Sequence, residues 1–281
     1  MSYVLNFPKS YKILRYGGLH YHFFICYLRL SQNLKIEVVE DNDKVFCDGS
    51  VFSCTLNEKQ FYVDISDSDM SFWKKNNPEV PYFKYQKTDK SQERFMPLGP
   101  PICASFDRKK TESNIKRYFE VRDSFIFSPQ DNILCKQRPY GNAVERRNTV
   151  KRFLSRNFKN LDLNYKMSDC MEFWESNRNA LTSICVPGNR NTMIDRGQLE
   201  LMGLGVCTIS PELDTFLCHN QKPIPDVHYI KCSEDYSNLG EKIKMLQKDK
   251  KLSKQIGDNA RDFFDTYYKP DKYLEWIIKR L

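Results

Sequence analysis

The sequence predicts an α/β protein of two Rossmann-like domains, and three observations carry that expectation. Apolar runs of strand length alternate with longer amphipathic stretches, the order that a parallel sheet with crossover helices requires. Residues 184–211, ICVPGNRNTMIDRGQLELMGLGVCTISP, compress that order into one unit of strand, loop, helix and strand. With 281 residues, 40% hydrophobic and 14% aromatic, the chain has room for two modest cores.

Taken in order, residues 11–15 read as a first strand, Tyr16-Gly17-Gly18 as a turn and 19–31 as a helix. Phe23, Phe24, Tyr27 and Leu28 recur there at helical spacing. Residues 34–39 form a second strand, so the chain has a Rossmann-like opening. Its Gly-Gly pair serves a tight turn as readily as a ligand. His20 and His22, just past the turn, suit either a cleft or simple capping and packing. Residues 45–48 and 51–56 suggest a hairpin through Asp48-Gly49-Ser50. Residues 59–65 then alternate towards a buried strand that runs into Asp64-Ile65-Ser66-Asp67-Ser68-Asp69. Acids at a strand's carboxyl end suit function, because such ends line the crevice of an open α/β sheet. They equally suit the cap of a helix starting near Met70.

Residues 76–110 are rich in proline and loops, with strands expected at 82–85 and 102–105. A helix is expected at 114–121 and an extended stretch at 125–127. Ser128-Pro129-Gln130-Asp131-Asn132 has the composition of a linker, which divides the chain into domains 1–130 and 131–269. The last helix, within 270–281, is free to pack back on the first domain.

The second domain opens with a strand at 133–136, the loop Gln137-Arg138-Pro139-Tyr140-Gly141-Asn142 and a helix at 143–158. Arg138 in the loop and Arg146 and Arg147 in the first turns surround the helix N-terminus. Forked guanidinium donors there suit a diphosphate, or they form a solvated basic helix. A strand at 161–165 and a helix at 171–175 lead to the central unit. Its loop carries Arg190 and Asp195, and its helix, 196–202, is closed by Gly203 and Gly205. Arg196 and Glu200 share one face near the start of that helix, where free amides and the dipole favour an anion. Guanidinium for phosphate and carboxylate for sugar hydroxyls make a sensible pair for a sugar nucleotide. The same spacing also fits a surface ion pair of about 0.3–0.5 kcal/mol. A strand at 228–230, a cap at Asp235-Tyr236-Ser237 and helices at 239–247, 251–267 and 273–281 complete the chain.

The net charge of +8 invites an anionic partner, either nucleic acid or a small phosphorylated ligand. No apolar run reaches the ~18–20 residues of a bilayer span, so none is expected. The ten cysteines lack CxxC spacing and only four histidines exist, so no metal site is expected. Many cysteines sit in apolar context, and the N-terminus lacks the pattern of a signal peptide. Both features favour a reducing, cytoplasmic setting.

The run Leu199-Glu200-Leu201-Met202-Gly203-Leu204-Gly205 resembles the Leu-Glu-Ala-Met-Ala-x-Gly run of GT-B glycosyltransferases, where the glutamate holds the nucleotide ribose. Thr192 stands where those enzymes often carry a second carboxylate, which is nearer to inverting branches. Across roughly 60–265, further segments resemble the protein O-glucosyltransferase family, the Rumi-type enzymes that include fungal capsule-associated xylosyltransferases. Phe61-Tyr62-Val63-Asp64-Ile65-Ser66-Asp67 is similar to its strand ending in Asn-x-Arg-Asp, and Val80-Pro81-Tyr82-Phe83-Lys84-Tyr85-Gln86-Lys87 to its Pro-x-Phe-Ser-Phe-Ser-Lys run. Arg138 and Arg146 match the spacing of its Arg-Gly-Ser-Arg-Thr-Ser-x-x-Arg motif, with Pro139-Tyr140 replacing Gly-Ser. His228-Tyr229-Ile230, Asp235-Tyr236-Ser237-Asn238-Leu239 and Ile256-Gly257-Asp258-Asn259-Ala260 follow its later signatures. Short length and the absent signal and retention sequences look more like a cytoplasmic relative, such as the capsid-glycan transferases of large algal viruses.

The resemblance implies a GT-B fold, two Rossmann-like domains with an interdomain cleft. It further implies inverting, metal-independent transfer of xylose or glucose from UDP-xylose or UDP-glucose to a glycan or glycoprotein hydroxyl. Neither a cofactor nor a nucleic-acid partner is expected. Asp67 falls on the family's catalytic aspartate and is assigned as general base, with Asp64, Asp69 and His20 as fallbacks. Arg138, Arg146 or Arg147, and Arg196 would hold the diphosphate and Glu200 the ribose, with Tyr140 and Asp195 completing the donor set. Two alternatives stay open. Asp67-Ser68-Asp69 offers the Asp-x-Asp pattern of metal-dependent transferases, and a degenerate fold could serve as a non-catalytic nucleic-acid or glycan binder.

Overall fold

Two β-sheets organise the chain, each within its own unit. The computed structural model describes residues 2–8, 17–31, 35–40, 47–48, 50–66, 79–138, 141–163, 170–188 and 192–281. Unit 1 is Met1–Lys116 with Thr215–Gln221 and Thr266–Leu281, and unit 2 is Arg117–Asp214 with Lys222–Asp265.

Unit 1 begins with strand β1 (Ser2–Phe7), helix α1 (Gly17–Arg29) and strand β2 (Lys35–Glu40). β1 and β2 pair in parallel from Ser2↔Lys35 to Phe7↔Glu40, and α1 supplies the crossover that such a pair needs. The strand expected at 11–15 lies outside the described residues, and the one that pairs with β2 is this earlier one. Strands β3 (Cys47–Asp48), β4 (Val51–Leu56) and β5 (Lys59–Asp64) follow as antiparallel neighbours. Asn57 and Glu58 join β4 to β5 with φ of 47° and 69°, the left-handed pair that a two-residue hairpin requires. Asn57 also extends the β1–β4 edge, donating its amide to the Val4 carbonyl and accepting the Val4 amide on Oδ1.

Strands β6 (Tyr82–Lys84) and β7 (Phe95–Pro97) add in parallel beside β5, giving the order β2-β1-β4-β5-β6-β7 with β3 on β4. The strand expected at 102–105 does not form. Cys103 takes a φ of 54°, and the side chains of Asn114 and Thr111 bond the Cys103 carbonyl and the Ser105 amide. The backbone that would have joined a ladder is spent on starting helix α2 (Arg108–Ser124). α1 is buried at every position from Tyr21 to Leu28, all of them apolar or aromatic except His22. Helix α8 (Pro270–Arg280), with proline in its first turn, belongs to the same unit and buries Tyr273, Leu274, Trp276 and Ile277. Tyr273 meets Phe23, Phe24 and Tyr27 edge-on, and Trp276 Nε1 donates to the Pro97 carbonyl.

The chain passes from unit 1 to unit 2 inside α2, ahead of the segment 128–132 that the sequence marks as a linker. That segment is pinned within unit 2, where Ser128 and Gln130 donate to the Arg178 and Asn179 carbonyls. Unit 2 continues with β8 (Asn132–Leu134), α3 (Val144–Asn157), β9 (Leu161–Asp162), α4 (Cys170–Ser176) and β10 (Ala180–Ile184). Then come α5 (Arg196–Leu204), β11 (Thr208–Ser210), β12 (Ile230–Lys231), α6 (Leu239–Lys248) and α7 (Lys250–Tyr267). All its strand pairs are parallel, in the order β12-β11-β10-β8-β9.

β10 and β11 are buried at every position, as expected where both faces of a parallel sheet are covered. α5 starts at the Asp195 cap and stops at Gly205, whose φ of 80° ends the helix. Gly257 of α7 lies so close to the Gly205 carbonyl that a β-carbon there would come within 2.1 Å of its oxygen. The fold class is therefore α/β, one mixed and one parallel sheet with eight helices among the described residues. No helix among those residues is long and apolar enough to cross a membrane.

Candidate functional site

Counted along unit 2, its strands lie in the order second, first, third, fourth, fifth, one of the arrangements of doubly wound sheets. From β8 the chain goes to one side, and from β10 onwards to the other. Ligands of open α/β sheets bind at such a switch point, outside the carboxyl ends of the strands. Here those ends are 135–138 after β8 and 185–188 after β10.

Side chains from the first turn of α3 lace the two exits together. Arg147 is buried, and its Nε donates to the Val186 carbonyl at 2.9 Å, its Nη1 to the Arg138 carbonyl and its Nη2 to Asp195 Oδ2 at 2.9 Å. Asp195 Oδ1 accepts the Gly197 amide at 3.0 Å, so one carboxylate caps α5 and pairs with Arg147 at once. Arg146, half-buried, donates Nη2 to the Pro187 and Gly188 carbonyls at 2.6 and 3.1 Å. Gln137 accepts the Val186 amide on Oε1. Arg138 is exposed, and its guanidinium meets no carboxylate among the described residues.

Arg146, Arg147, Asp195 and the Arg138 backbone, singled out in the sequence, are thus brought together at the switch point. Arg147 and Asp195 brace it, neutralising each other. Arg138 and Arg146 supply its excess positive charge. Arg196 is exposed in the first turn of α5. Glu200, one turn on, is buried and accepts the Trp174 indole N–H on Oε2 at 2.8 Å, while its carbonyl accepts the Tyr118 hydroxyl. Tyr140 and Arg190 lie outside the described residues.

In unit 1, Asp64 is fully buried at the end of β5. Its Oδ2 accepts from Tyr82 at 2.8 Å and from Lys84 Nζ at 3.2 Å, and its Oδ1 accepts the Ser66 amide at 2.8 Å. A carboxylate enclosed this way braces the strand exit. His20 is half-buried on α1, its ring 5.3 Å from that of Tyr85, whose hydroxyl donates to the His20 carbonyl. Asp67 and Asp69 lie outside the described residues.

The later motifs have local structural roles. His228 Nδ1 accepts the Ile224 amide and its ring lies 4.6 Å from Phe263, while the Tyr229 hydroxyl accepts the Leu213 amide. Asp235 turns the chain into α6 by accepting the Ser237 amide, which holds its carboxyl below the usual range. Tyr236 brings its hydroxyl 3.5 Å from the Cys185 carbonyl; burial pushes its ionisation up, and the neighbouring Cys232 adds to that while the Arg146 charge opposes it. Burial likewise pushes the thiols of Cys135 to about 11 and Cys207 to about 12, so both are inert small hydrophobes.

Sequence reasoning missed Gln137 and Trp174. A polar side chain immediately after a buried strand was the available signal for the first. The indole partner of Glu200 had none, because it comes from a separate helix. Among the described residues no cluster of three His, Cys, Asp or Glu could hold a metal ion. Neither a scan against protein-family models nor a search of curated proteins finds a match for this chain.

Proposed function

We propose that the chain is an inverting GT-B glycosyltransferase that moves xylose or glucose from a UDP-sugar to a hydroxyl of a glycan or glycoprotein. The observation that carries this reading is the switch point of the parallel sheet, with Arg138 and Arg146 at the carboxyl ends of β8 and β10. A nucleoside diphosphate needs cationic, forked donors at such an edge. The resemblance in sequence motifs supplies the sugar and the reaction class.

In this mechanism a carboxylate takes the acceptor's proton as its oxygen attacks the anomeric carbon. The bond from that carbon to the β-phosphate oxygen breaks, and UDP departs with the electron pair. General-base help of this kind contributes typically 10²–10⁴-fold. Asp67 is the proposed base. Arg138, Arg146 and Arg196 are proposed to stabilise the charge on the departing diphosphate, and Glu200 to meet the ribose.

Incubation with UDP-xylose and UDP-glucose tests the proposal by release of UDP, with and without EDTA. Slow donor hydrolysis, faster with a glycan acceptor and insensitive to EDTA, is expected. Strict dependence on manganese would instead favour the Asp-x-Asp type of transferase, and no turnover of any UDP-sugar would end the enzymatic reading.

One observation favours a second reading, polyanion binding. Asn148, Lys151, Arg152, Ser155 and Arg156 line a shallow depression of about 430 Å³ along one face of α3, with no carboxylate in its lining. A nucleic-acid binder would lose affinity steeply with salt, with a log–log slope of about −0.9 per phosphate contact. Binding to a DNA duplex at physiological salt, without UDP affinity, would establish that reading.

A further inference from the structure

We propose that Gln137 is a ligand-binding residue, its carboxamide N–H groups donating to a phosphoryl oxygen of the bound diphosphate beside the Arg146 guanidinium. The inference rests on the donor-binding reading above and adds a neutral donor to it.

Gln137 follows β8 directly and reaches across to the chain leaving β10. Its Oε1 accepts the Val186 amide, which fixes the orientation of the carboxamide and turns Nε2 away from that contact. Nε2 is closed off from solvent and has no acceptor among the described residues. The same is true of Arg146 Nε, although its Nη2 binds the next two carbonyls of the same segment, Pro187 and Gly188. Two unsatisfied donors thus belong to side chains that grip three consecutive residues at one strand exit.

Buried N–H groups without acceptors are rare in folded chains and cost stability, so each calls for an explanation. The polar groups of the described residues do not provide one. Asp195, the carboxylate of this edge, is occupied by Arg147 and the Gly197 amide. Both side chains are partly exposed, so part of each is open to a ligand. The missing partner is therefore an acceptor, and Arg146 makes it an anionic one. Two donors from separate side chains match two oxygens of a diphosphate better than one carboxylate.

Gln137→Glu separates this role from bracing, because it retains an oxygen for the Val186 amide and removes both N–H donors. Calorimetry with UDP and with inorganic pyrophosphate is expected to show at least tenfold weaker binding of both, at an unchanged thermal midpoint. The loss should persist near 1 M salt, where the Debye length is about 3 Å and repulsion by the new charge is screened. Wild-type affinity in the variant, or a loss that high salt abolishes, overturns the assignment. A wild-type protein that binds neither probe overturns it too.

If the variant does not fold, the wild-type protein still decides. The side-chain amide ¹⁵N–¹H signals of Gln137 must shift on adding pyrophosphate, and unmoved signals overturn the proposal. Gln137-dependent pyrophosphate binding without turnover of any UDP-sugar would keep this subsite and discard the glycosyl-transfer reading.

Discussion

The carboxyl edges of the two sheets handle polar groups in opposite ways. At the ends of β5 and β6, Lys84 spends its three donors on Asp64 and on the carbonyl and hydroxyl of Ser66, and Asp64 accepts from Tyr82, Lys84 and the Ser66 amide. Both side chains are fully buried and lie 3.2 Å apart as an ion pair. At the ends of β8 and β10, Arg147 and Asp195 form a similar pair, yet Gln137 and Arg146 keep donors without acceptors among the described residues. The first edge braces the fold through a buried ion pair, whereas the second keeps buried donors that the proposed ligand would satisfy. Charge alone does not distinguish them; the count of satisfied donors does.

The largest effect expected from this contrast is at Lys84. Lys84→Met leaves Asp64 as a buried charge without its counter-ion, and breaking a buried pair from one side costs about 3–5 kcal/mol. Urea unfolding should record that loss, and adding Asp64→Leu should recover much of it, since an apolar pair of similar volume removes the stranded charge. A single variant as stable as the parent would mean that the pair does not brace this strand exit, and the comparison would collapse.

An intermediate test lies within unit 2. Arg147→Ala removes three charge-assisted hydrogen bonds, each worth about 1.5–3 kcal/mol, and should cost at least the value of one of them in stability. Arg138→Ala, at an exposed side chain, should leave stability within about 0.5 kcal/mol. It should nonetheless weaken UDP binding on the order of tenfold, read by calorimetry. Equal effects of the two substitutions on stability would erase the distinction between a brace and a ligand contact.

These two edges were unequally legible in the sequence. The unit from β10 to β11 could be read because its signals are local. Asp195 caps the helix that follows it, and Gly205 takes the φ of 80° that ends that helix. The order of elements around α3 was readable for the same reason, as were the arginines in its first turn. Non-local facts were not readable. Lys84 becomes the partner of Asp64 only when β6 pairs with β5 in the observed register, Asp64↔Lys84. Trp174 reaches Glu200 only once α4 packs beside α5. The Gly-Gly turn points to a first strand at 11–15, outside the described residues, whereas the strand that pairs with β2 is Ser2–Phe7. At 102–105 the strand propensity was genuine and lost to side-chain hydrogen bonds from Thr111 and Asn114. The strand order that creates a switch point is set wholly by such distant pairings.

The smallest effect expected is a pH dependence, and it separates the units without touching either strand edge. Burial is the largest cause that lowers the ionisation of His22 and His219 in unit 1 and of His228 in unit 2 from the ordinary value of 6.5. At His22 the Arg108 charge acts in the same direction, while the Ser105 backbone, Asp107 and Glu40 act against it. At His219 the Lys272 carbonyl and Glu275 oppose the shift, and Lys279 and Lys272 reinforce it. A lowered value in the folded state means that the unfolded chain binds these protons first as pH falls. Stability should therefore decline as pH drops from about 7.5 through 6.5, before most carboxylates titrate. His228→Asn keeps an acceptor for the Ile224 amide but does not titrate, so urea midpoints between pH 7.5 and 5.5 should fall less steeply than in the parent. The slope that remains belongs to unit 1, where His22 and His219 are unchanged. A slope unaltered by the substitution would mean that His228 is already solvated in the folded chain, and its stacking on Phe263 would then contribute nothing to holding unit 2 closed.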